Sequence, residues 1–543
     1  MNGLMMDRPL LISSIARHAD RFHHEREIVS VTVDDPLHRT SWGTVIGRAR
    51  QLANALGRLG LKQGDRVATL AWNDHRHLEI YYAVSGAGFV CHTINPRLFP
   101  EQLIFILNHA EDRWLFIDPL FMPLLEKLAA QVTGLEGVVV LTDEAHMPAT
   151  NLENVHCYES FIAAEKSDYE WPDLDENAAS ALCYTSGTTG DPKGVLYSHR
   201  STLLHAYAVL APDVMGLSCR DSVLPVVPLF HVNAWGVPYA AAMCGAKLVL
   251  PGPKMADGEV LYRLMDSEDV NLALGVPTVW LALLQYTEKA GKRLDKLERT
   301  IIGGAAVPRM MIEAFRDRHG VEVRQGWGMT EMSPVGTVNT LKAGMELLSP
   351  EEKLDIGVKA GRGLFGCELR VMDDEGRELP WDGKSYGALQ VRGPWVCSDY
   401  FKLEGNSESH TADGWFGTGD VAIIDAEGFV TITDRTKDVI KSGGEWISSI
   451  ELENVIMSHP SVASAAVIGI AHEKWGERPL LVVVRKENAN PGKQELLEFF
   501  NDKVVSWWIP NDVAFIDELP LTATGKIKKL DLRKQFADYR FPD

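Results

Sequence analysis

Between Tyr184 and Gly194 the chain reads Tyr184-Thr185-Ser186-Gly187-Thr188-Thr189-Gly190-Asp191-Pro192-Lys193-Gly194, which packs four Ser/Thr hydroxyls, three glycines and a lysine into eleven residues. Glycine lets backbone N–H groups turn toward a polyanion, the hydroxyls donate further hydrogen bonds, and the lysine adds a point charge. The segment is therefore suited to cradling phosphates. It is not the common G-x-x-x-x-G-K-[ST] loop, because Lys193 follows Pro192 and precedes Gly194. A second glycine pattern, Gly361-Arg362-Gly363-Leu364-Phe365-Gly366, precedes a strand-like Glu368 to Met372 and does not open a helix after a strand, which argues against a dinucleotide fold there. No H-E-x-x-H or G-x-S-x-G occurs, so the simplest zinc-protease and serine-hydrolase readings fall away.

The elements that must position this loop alternate. Strand-like runs such as Ala178 to Cys183, Val138 to Leu141 and Lys247 to Leu250 are interspersed with helical spacing at Ser41 to Leu59 and Pro308 to His319. That alternation predicts an α/β fold, with layers around mostly parallel sheets, up to about Gly366. From Val371 to Val391 short strands separated by Asp373-Asp374-Glu375-Gly376 and Asp382-Gly383 predict a smaller antiparallel β-subdomain. A second hairpin pairs Val421 to Ile424 with Phe429 to Ile432. After Asp434-Arg435-Thr436-Lys437-Asp438 the pattern restarts: a helix at Ser448 to Met457, strands at Ala465 to Ile470 and Leu480 to Arg485, and a helix at Lys493 to Val505. The predicted organisation is a large domain over residues 1–436 and a small α+β domain over 437–543, with the boundary at Lys437.

Length and composition agree. With 543 residues, 45% hydrophobic and 24% charged, the chain is too long for one ordinary domain and has the balance of a globular protein. A net charge of −20 argues against general binding to nucleic acid or anionic membrane. The seven cysteines are scattered with no C-x-x-C pair, and Met1 to Ile12 lacks the features of a signal peptide, so a cytoplasmic location is expected. The longest apolar stretch, Ala234 to Ala246, contains Gly236, Pro238 and Gly245 and falls short of the roughly 20 residues of a membrane span. It is expected to be a buried core segment.

Tyr184 to Gly194 resembles the signature phosphate loop of the adenylate-forming (ANL) superfamily, which contains acyl-CoA synthetases, adenylation domains and luciferases. Further motifs follow in the family's order: Pro228-Leu229-Phe230-His231, Gly303-Gly304-Ala305, Gln325-Gly326-Trp327-Gly328-Met329-Thr330-Glu331, Gly414 to Asp420, Asp434 to Asp438, and Leu519 to Lys526. Asn73, His77-Leu78-Glu79 and Cys91 to Leu98 resemble the branch of medium-chain and methylmercaptopropionate acyl-CoA ligases. The resemblance implies an AMP-forming acid-thiol ligase with ATP, Mg2+ and coenzyme A. A short- or medium-chain carboxylate, 3-(methylthio)propionate among the candidates, would attack the α-phosphate to give an acyl-adenylate, and CoA would then displace AMP. A ligase of broad medium-chain specificity and a non-catalytic nucleotide sensor are the alternatives. The family also implies a homodimer.

Site roles follow from the same resemblance. Thr185, Ser186, Gly187, Thr188, Thr189 and Lys193 would hold the β- and γ-phosphates. Thr330 would meet the α-phosphate, and Glu331, with Thr185, the magnesium. Gly326, Trp327, Gly328 and Met329 would line the nucleotide. Trp327 stands where the family usually has tyrosine against adenine; its indole can stack but has no phenolic hydroxyl. Asp420 would accept from the ribose hydroxyls, reinforced by Arg435. Lys526 would bridge carboxylate and α-phosphate. His231 as a gate, Trp235 as a wall, and Gly303, Gly304 and Ala305 would form the acid pocket. Lys437 would be the hinge about which the small domain turns between half-reactions, bringing Lys441, Gly443, Gly444 and Glu445 to the CoA side. The family's usual glutamate is absent from Tyr386 to Gly393, where Ala388 stands. Taken singly, Asp420 after Gly419 reads as a turn residue, His231 as a core histidine and Lys526 as a solvated turn lysine; only their order in the set gives them these roles.

Overall fold

A computed structural model describes all residues except 2, 186–190, 404–406, 408, 444, 523–525 and 543, and does not describe the side chains of Glu445 and Trp446. Two compact units interleave along the chain. The first comprises residues 1–301, 328–336 and 393–407, the second residues 302–327, 337–392 and 408–543.

The first unit is built on parallel strands. One sheet runs in the order Val155–Cys157, Gly137–Val140, Trp114–Ile117, Arg66–Leu70, Val90–Thr93, Ala179–Tyr184 and Gly194–Ser198, parallel throughout except the last pair. The uninterrupted burial of Val90–Thr93, Trp114–Ile117 and Gly137–Val140 is the mark of strands covered on both faces. One face packs Leu103, Ile106 and Leu107 of a helix over Pro100–Ala110 against Ala68, Leu115 and Val138. A second set runs Leu272–Gly275, Ser222–Pro225, Lys247–Leu250 and Glu27–Ser30 in parallel, closed by antiparallel His38–Ser41. The predicted helix from Ser41 is found at Trp42–Gly57, with the Ser41 hydroxyl accepting from the Thr44 amide as its cap.

In the second unit four antiparallel strands, Glu368–Met372, Tyr386–Arg392, Phe416–Ile424 and Val430–Arg435, pair in chain order, as the turn signals predict. Val371, Leu389, Ala422, Ile424 and Val430 form their apolar face, against which the Trp327 indole packs. The C-terminal sheet orders Glu445–Ile447, Ile440–Ser442, Gly476–Arg485 and Val462–His472, with Asp512–Phe515 added in parallel to Gly476–Arg485. Two expectations change. The helix predicted over Lys493 to Val505 stops at Glu498, because the chain turns through a left-handed Asp502 (φ 61°) and brings Val504, Trp508 and Ile509 onto the Leu452–Leu481–Phe500 core. The helix predicted over Pro308 to His319 is α-helical only at Arg309–Glu313 and continues as a π-turn over Ala314–His319. Among the described residues no helix is long and apolar enough to cross a membrane.

Candidate functional site

In the first unit the glycine-rich loop leaves the strand Ala179–Tyr184, and its two ends are tied together. The Thr185 amide donates to the Lys193 carbonyl at 2.9 Å, and the Lys193 amide donates to the Thr185 hydroxyl at 3.1 Å. Ser186, Gly187, Thr188 and Thr189 lie outside the described residues. The Lys193 ammonium stands 4.7 Å above the centre of the Tyr400 ring, a cation–π contact. Tyr400 in turn donates its hydroxyl to Glu331 Oε1 at 2.8 Å. One tyrosine therefore places the ammonium on its face and the carboxylate at its tip. Tyr400 reaches this position because the Phe401 amide pairs with the Gly194 carbonyl at 2.8 Å.

Thr330 and Glu331 occupy a short 3-10 turn, Thr330–Met332, and both are buried. The Tyr197 hydroxyl donates to the Thr330 carbonyl at 2.6 Å, and the Cys397 amide donates to the Glu331 carbonyl at 2.7 Å, so the turn is held from two sides through its backbone. Gly328 allows the chain to enter it: a Cβ there would fall 1.9 Å from the Pro334 carbonyl oxygen. Any larger residue would force the Met329–Glu331 segment away.

His231 begins a turn of unusual hand. Val232, Asn233, Ala234 and Trp235 have φ of 44°, 51°, 46° and 57°, followed by Gly236 at 79°. Left-handed conformation costs a non-glycine residue about 1–2 kcal/mol, so the surroundings must hold four such residues in place. Gly236 is required where a Cβ would come within 2.7 Å of the His205 ring. His205 also accepts the Val335 amide at 3.1 Å, just beyond the Thr330–Met332 turn. His231 lines a narrow recess with Thr93, Asn95, Leu98, Ile106, Tyr184 and Phe230. The buried helix Val237–Cys244 that follows confirms the expected core segment.

In the second unit a different constellation centres on Asp420. Cross-strand register sets it opposite Arg435, whose Nε lies 2.8 Å from Asp420 Oδ1. The Trp327 indole N–H donates to Asp420 Oδ2 at 2.9 Å. Each carboxylate oxygen thus holds one protein donor and keeps lone pairs for a further one. Trp327 accordingly does more than present an aromatic face: it orients a carboxylate, which its place in the sequence did not reveal. Burial pushes the Asp420 carboxyl above its ordinary range, while Arg435, the Trp327 hydrogen bond and the positive charge of Lys526 oppose that rise. Lys526 is tied to Thr522: its amide donates to the Thr522 hydroxyl at 3.0 Å, its carbonyl accepts the Thr522 amide at 2.6 Å, and Leu521 bridges Ile527. A residue 106 positions beyond Asp420 thus brings its charge to that carboxylate.

The remaining expected positions are also found in the second unit. Gly303 ends the strand Arg299–Gly303, and Gly304 (φ 84°) and Ala305 are exposed beyond it. Gly326 lies in the strand Glu322–Gly328 beside Trp327. Lys437 occupies an exposed turn between Val430–Arg435 and Ile440–Ser442. The Lys441 amide donates to Glu477 at 3.0 Å, Gly443 donates to the Trp475 carbonyl at 2.8 Å, and Ser442 pairs with Glu445; Gly444 lies outside the described residues.

The chain matches the AMP-binding enzyme family over residues 15–401 and the AMP-binding enzyme C-terminal domain over residues 451–526. It is 54% identical over 538 residues to 3-methylmercaptopropionyl-CoA ligase of Ruegeria lacuscaerulensis, covering 99% of both chains. It is 51% identical to the medium-chain-fatty-acid–CoA ligase of Ectopseudomonas oleovorans, covering 99% of this chain and 98% of that one. Its fold is similar to that of ATP-bound MatB from Rhodopseudomonas palustris, with a TM-score of 0.82, 26% identity and coverage of 98% and 99%.

Proposed function

The chain belongs to the AMP-binding enzyme family, and from that premise we propose that it is an AMP-forming ligase that joins a short- or medium-chain carboxylate to coenzyme A through an acyl-adenylate. The acid we assign is 3-(methylthio)propionate, supported by the 54% identity to a ligase named for that acid. The observation that carries the reaction is the convergence on Asp420 of Arg435, Trp327 and the charge of Lys526. A carboxylate with lone pairs left to accept from a diol, with positive charge beside it, suits the adenosine end of ATP.

In the first half-reaction Asp420 accepts from the ribose hydroxyls and Trp327 stacks on adenine. Lys193 and Thr185, with Ser186 to Thr189, hold the β- and γ-phosphates. Thr330 donates to the α-phosphate, and Lys526 neutralises charge between that phosphate and the attacking carboxylate. The buried Glu331 carboxylate, with one oxygen fixed by Tyr400, offers the hard oxygen donor that Mg2+ favours, and the Thr185 hydroxyl would add a second. When bound there, the ion supplies charge stabilisation to the phosphates. His231, Trp235 and Gly303 to Ala305 receive the acid.

For the second half-reaction residues 437–543 turn about Lys437, withdrawing Lys526 and presenting Lys441 and Gly443 to Glu445 to the thiol. Such a rotation would have to break contacts that cross the proposed hinge. Asp434, before the hinge, accepts from the Ser449 amide at 2.9 Å and from its hydroxyl, after the hinge, and these bonds must part. We place the enzyme in the cytoplasm as a homodimer, consistent with seven free cysteines.

A panel of acids from acetate to decanoate, with 3-(methylthio)propionate and aromatic acids, tests the assignment through pyrophosphate release with ATP, Mg2+ and CoA. The fastest turnover is expected with 3-(methylthio)propionate or an aliphatic acid of similar length. A preference for aromatic acids would refute the pocket, and no turnover with any acid would return the chain to a nucleotide-binding sensor.

A further inference from the structure

The left-handed turn after His231 needs something to hold it, and the first unit supplies it from two directions. The buried Tyr81, on the helix His75–Gly86, donates its hydroxyl to both the Leu229 carbonyl and Asn233 Oδ1, the latter at 3.1 Å. Cys183 donates its thiol to the same Asn233 oxygen at 3.7 Å. Cys183 lies in the strand Ala179–Tyr184, which ends one residue before Thr185. Asn73 adds a clamp on the approach: its amide donates to the Pro225 and Val227 carbonyls at 3.0 and 2.9 Å, and its carbonyl accepts the Leu229 amide at 2.7 Å. Asparagine is among the few residues that enter the left-handed region at little cost. Asn233 therefore lowers the strain of the turn and also anchors it.

We propose that Asn233, held by Tyr81 and Cys183, is a positioning residue for acid selection: it fixes the turn that carries His231 and Trp235 and ties that wall to the strand bearing the phosphate loop. This rests on His231 and Trp235 serving the acid side of the site. Neither Tyr81 nor Asn233 touches the reacting atoms; each acts through the path of residues 229–236.

Two variants separate the roles. Tyr81→Phe removes one hydroxyl and keeps the ring. Asn233→Gly removes the anchoring amide while leaving a residue at ease with positive φ, so the backbone is relaxed and not broken. In the full-length enzyme, each is expected to raise the KM for the preferred acid by roughly 3- to 10-fold, the range set by one buried hydrogen bond. Discrimination between that acid and its one-carbon neighbours is expected to flatten, while the KM for ATP stays within about twofold of wild type, since the phosphate-holding groups are elsewhere. A parallel rise in both KM values, or unchanged acid selectivity, would reduce the turn to a structural element and overturn the proposal. Amide hydrogen exchange provides a readout independent of turnover: residues 229–236 should exchange faster in both variants, with 90–93 and 179–184 unchanged. Unchanged exchange at 229–236 overturns the anchor even if the wild type activates no acid, an outcome that by itself counts only against the ligase reading.

Discussion

Lys526→Ala is expected to lower acyl-adenylate formation by about a hundredfold to a thousandfold, the loss that follows removal of one preorganised group facing developing charge. Thioester formation from supplied acyl-adenylate and CoA should stay within a few-fold of wild type. The asymmetry follows from geometry. The Lys526 backbone is tied to Thr522, and its charge acts on Asp420, the carboxylate assigned to the ribose. In the proposed reaction a cation there would meet the α-phosphate and the attacking carboxylate, which come together only in the first half-reaction. Measuring pyrophosphate release, and AMP-releasing thioester synthesis from supplied acyl-adenylate and CoA, separately checks it. Equal loss of both would mean that Lys526 supports the domain and not the first chemical step.

Glu331→Gln should cost about a hundredfold in pyrophosphate release and shift the Mg2+ dependence to higher concentration. Glutamine keeps an oxygen to accept the Tyr400 hydroxyl at 2.8 Å and the same backbone contact with Cys397, so the turn Thr330–Met332 should remain intact. What is lost is the formal charge that a hard cation favours. An unchanged Mg2+ profile, with an unchanged melting temperature, would remove Glu331 from the metal site and leave it a structural carboxylate.

The two variants bracket the parts of the site that differ in how legible they were. The phosphate loop and the order of the later motifs could be read because they are local: Thr185 and Lys193 meet across eight positions. Tyr400 could not be, since nothing around it marks it out, and it arrives beside Lys193 and Glu331 only through pairing between Phe401 and Gly194. Trp327 was legible as an aromatic substitution but not as a hydrogen-bond donor, because its partner lies 93 residues away. The left-handed turn at Val232–Trp235 opposes local propensity; three of its four residues are not ones that favour positive φ, and long-range contacts from Tyr81, Cys183 and Asn73 help to hold it. The shortened helix at Lys493–Glu498 has the same origin, since tertiary packing of Trp508 and Ile509 overrides a helical pattern.

A chain of net charge −20 that binds two polyanions must concentrate positive charge where the phosphates lie. In the proposed reaction Lys193, Arg435 and Lys526 would do so; Lys193 lies over the Tyr400 ring and Arg435 pairs with Asp420. Those two contacts orient Lys193 and Arg435 in the absence of substrate, which would limit the reorganisation the proposed reaction requires.

The fate of the carboxylate oxygen tests the mechanism most directly. With 3-(methylthio)propionate labelled in both carboxylate oxygens with heavy oxygen, attack on the α-phosphate leaves one labelled atom in AMP and one in the thioester. That distribution, with no label in pyrophosphate, is the expected result. Label in inorganic phosphate with ADP as the product, or unlabelled AMP, would contradict an acyl-adenylate and with it the roles given to Lys526, Thr330 and Asp420.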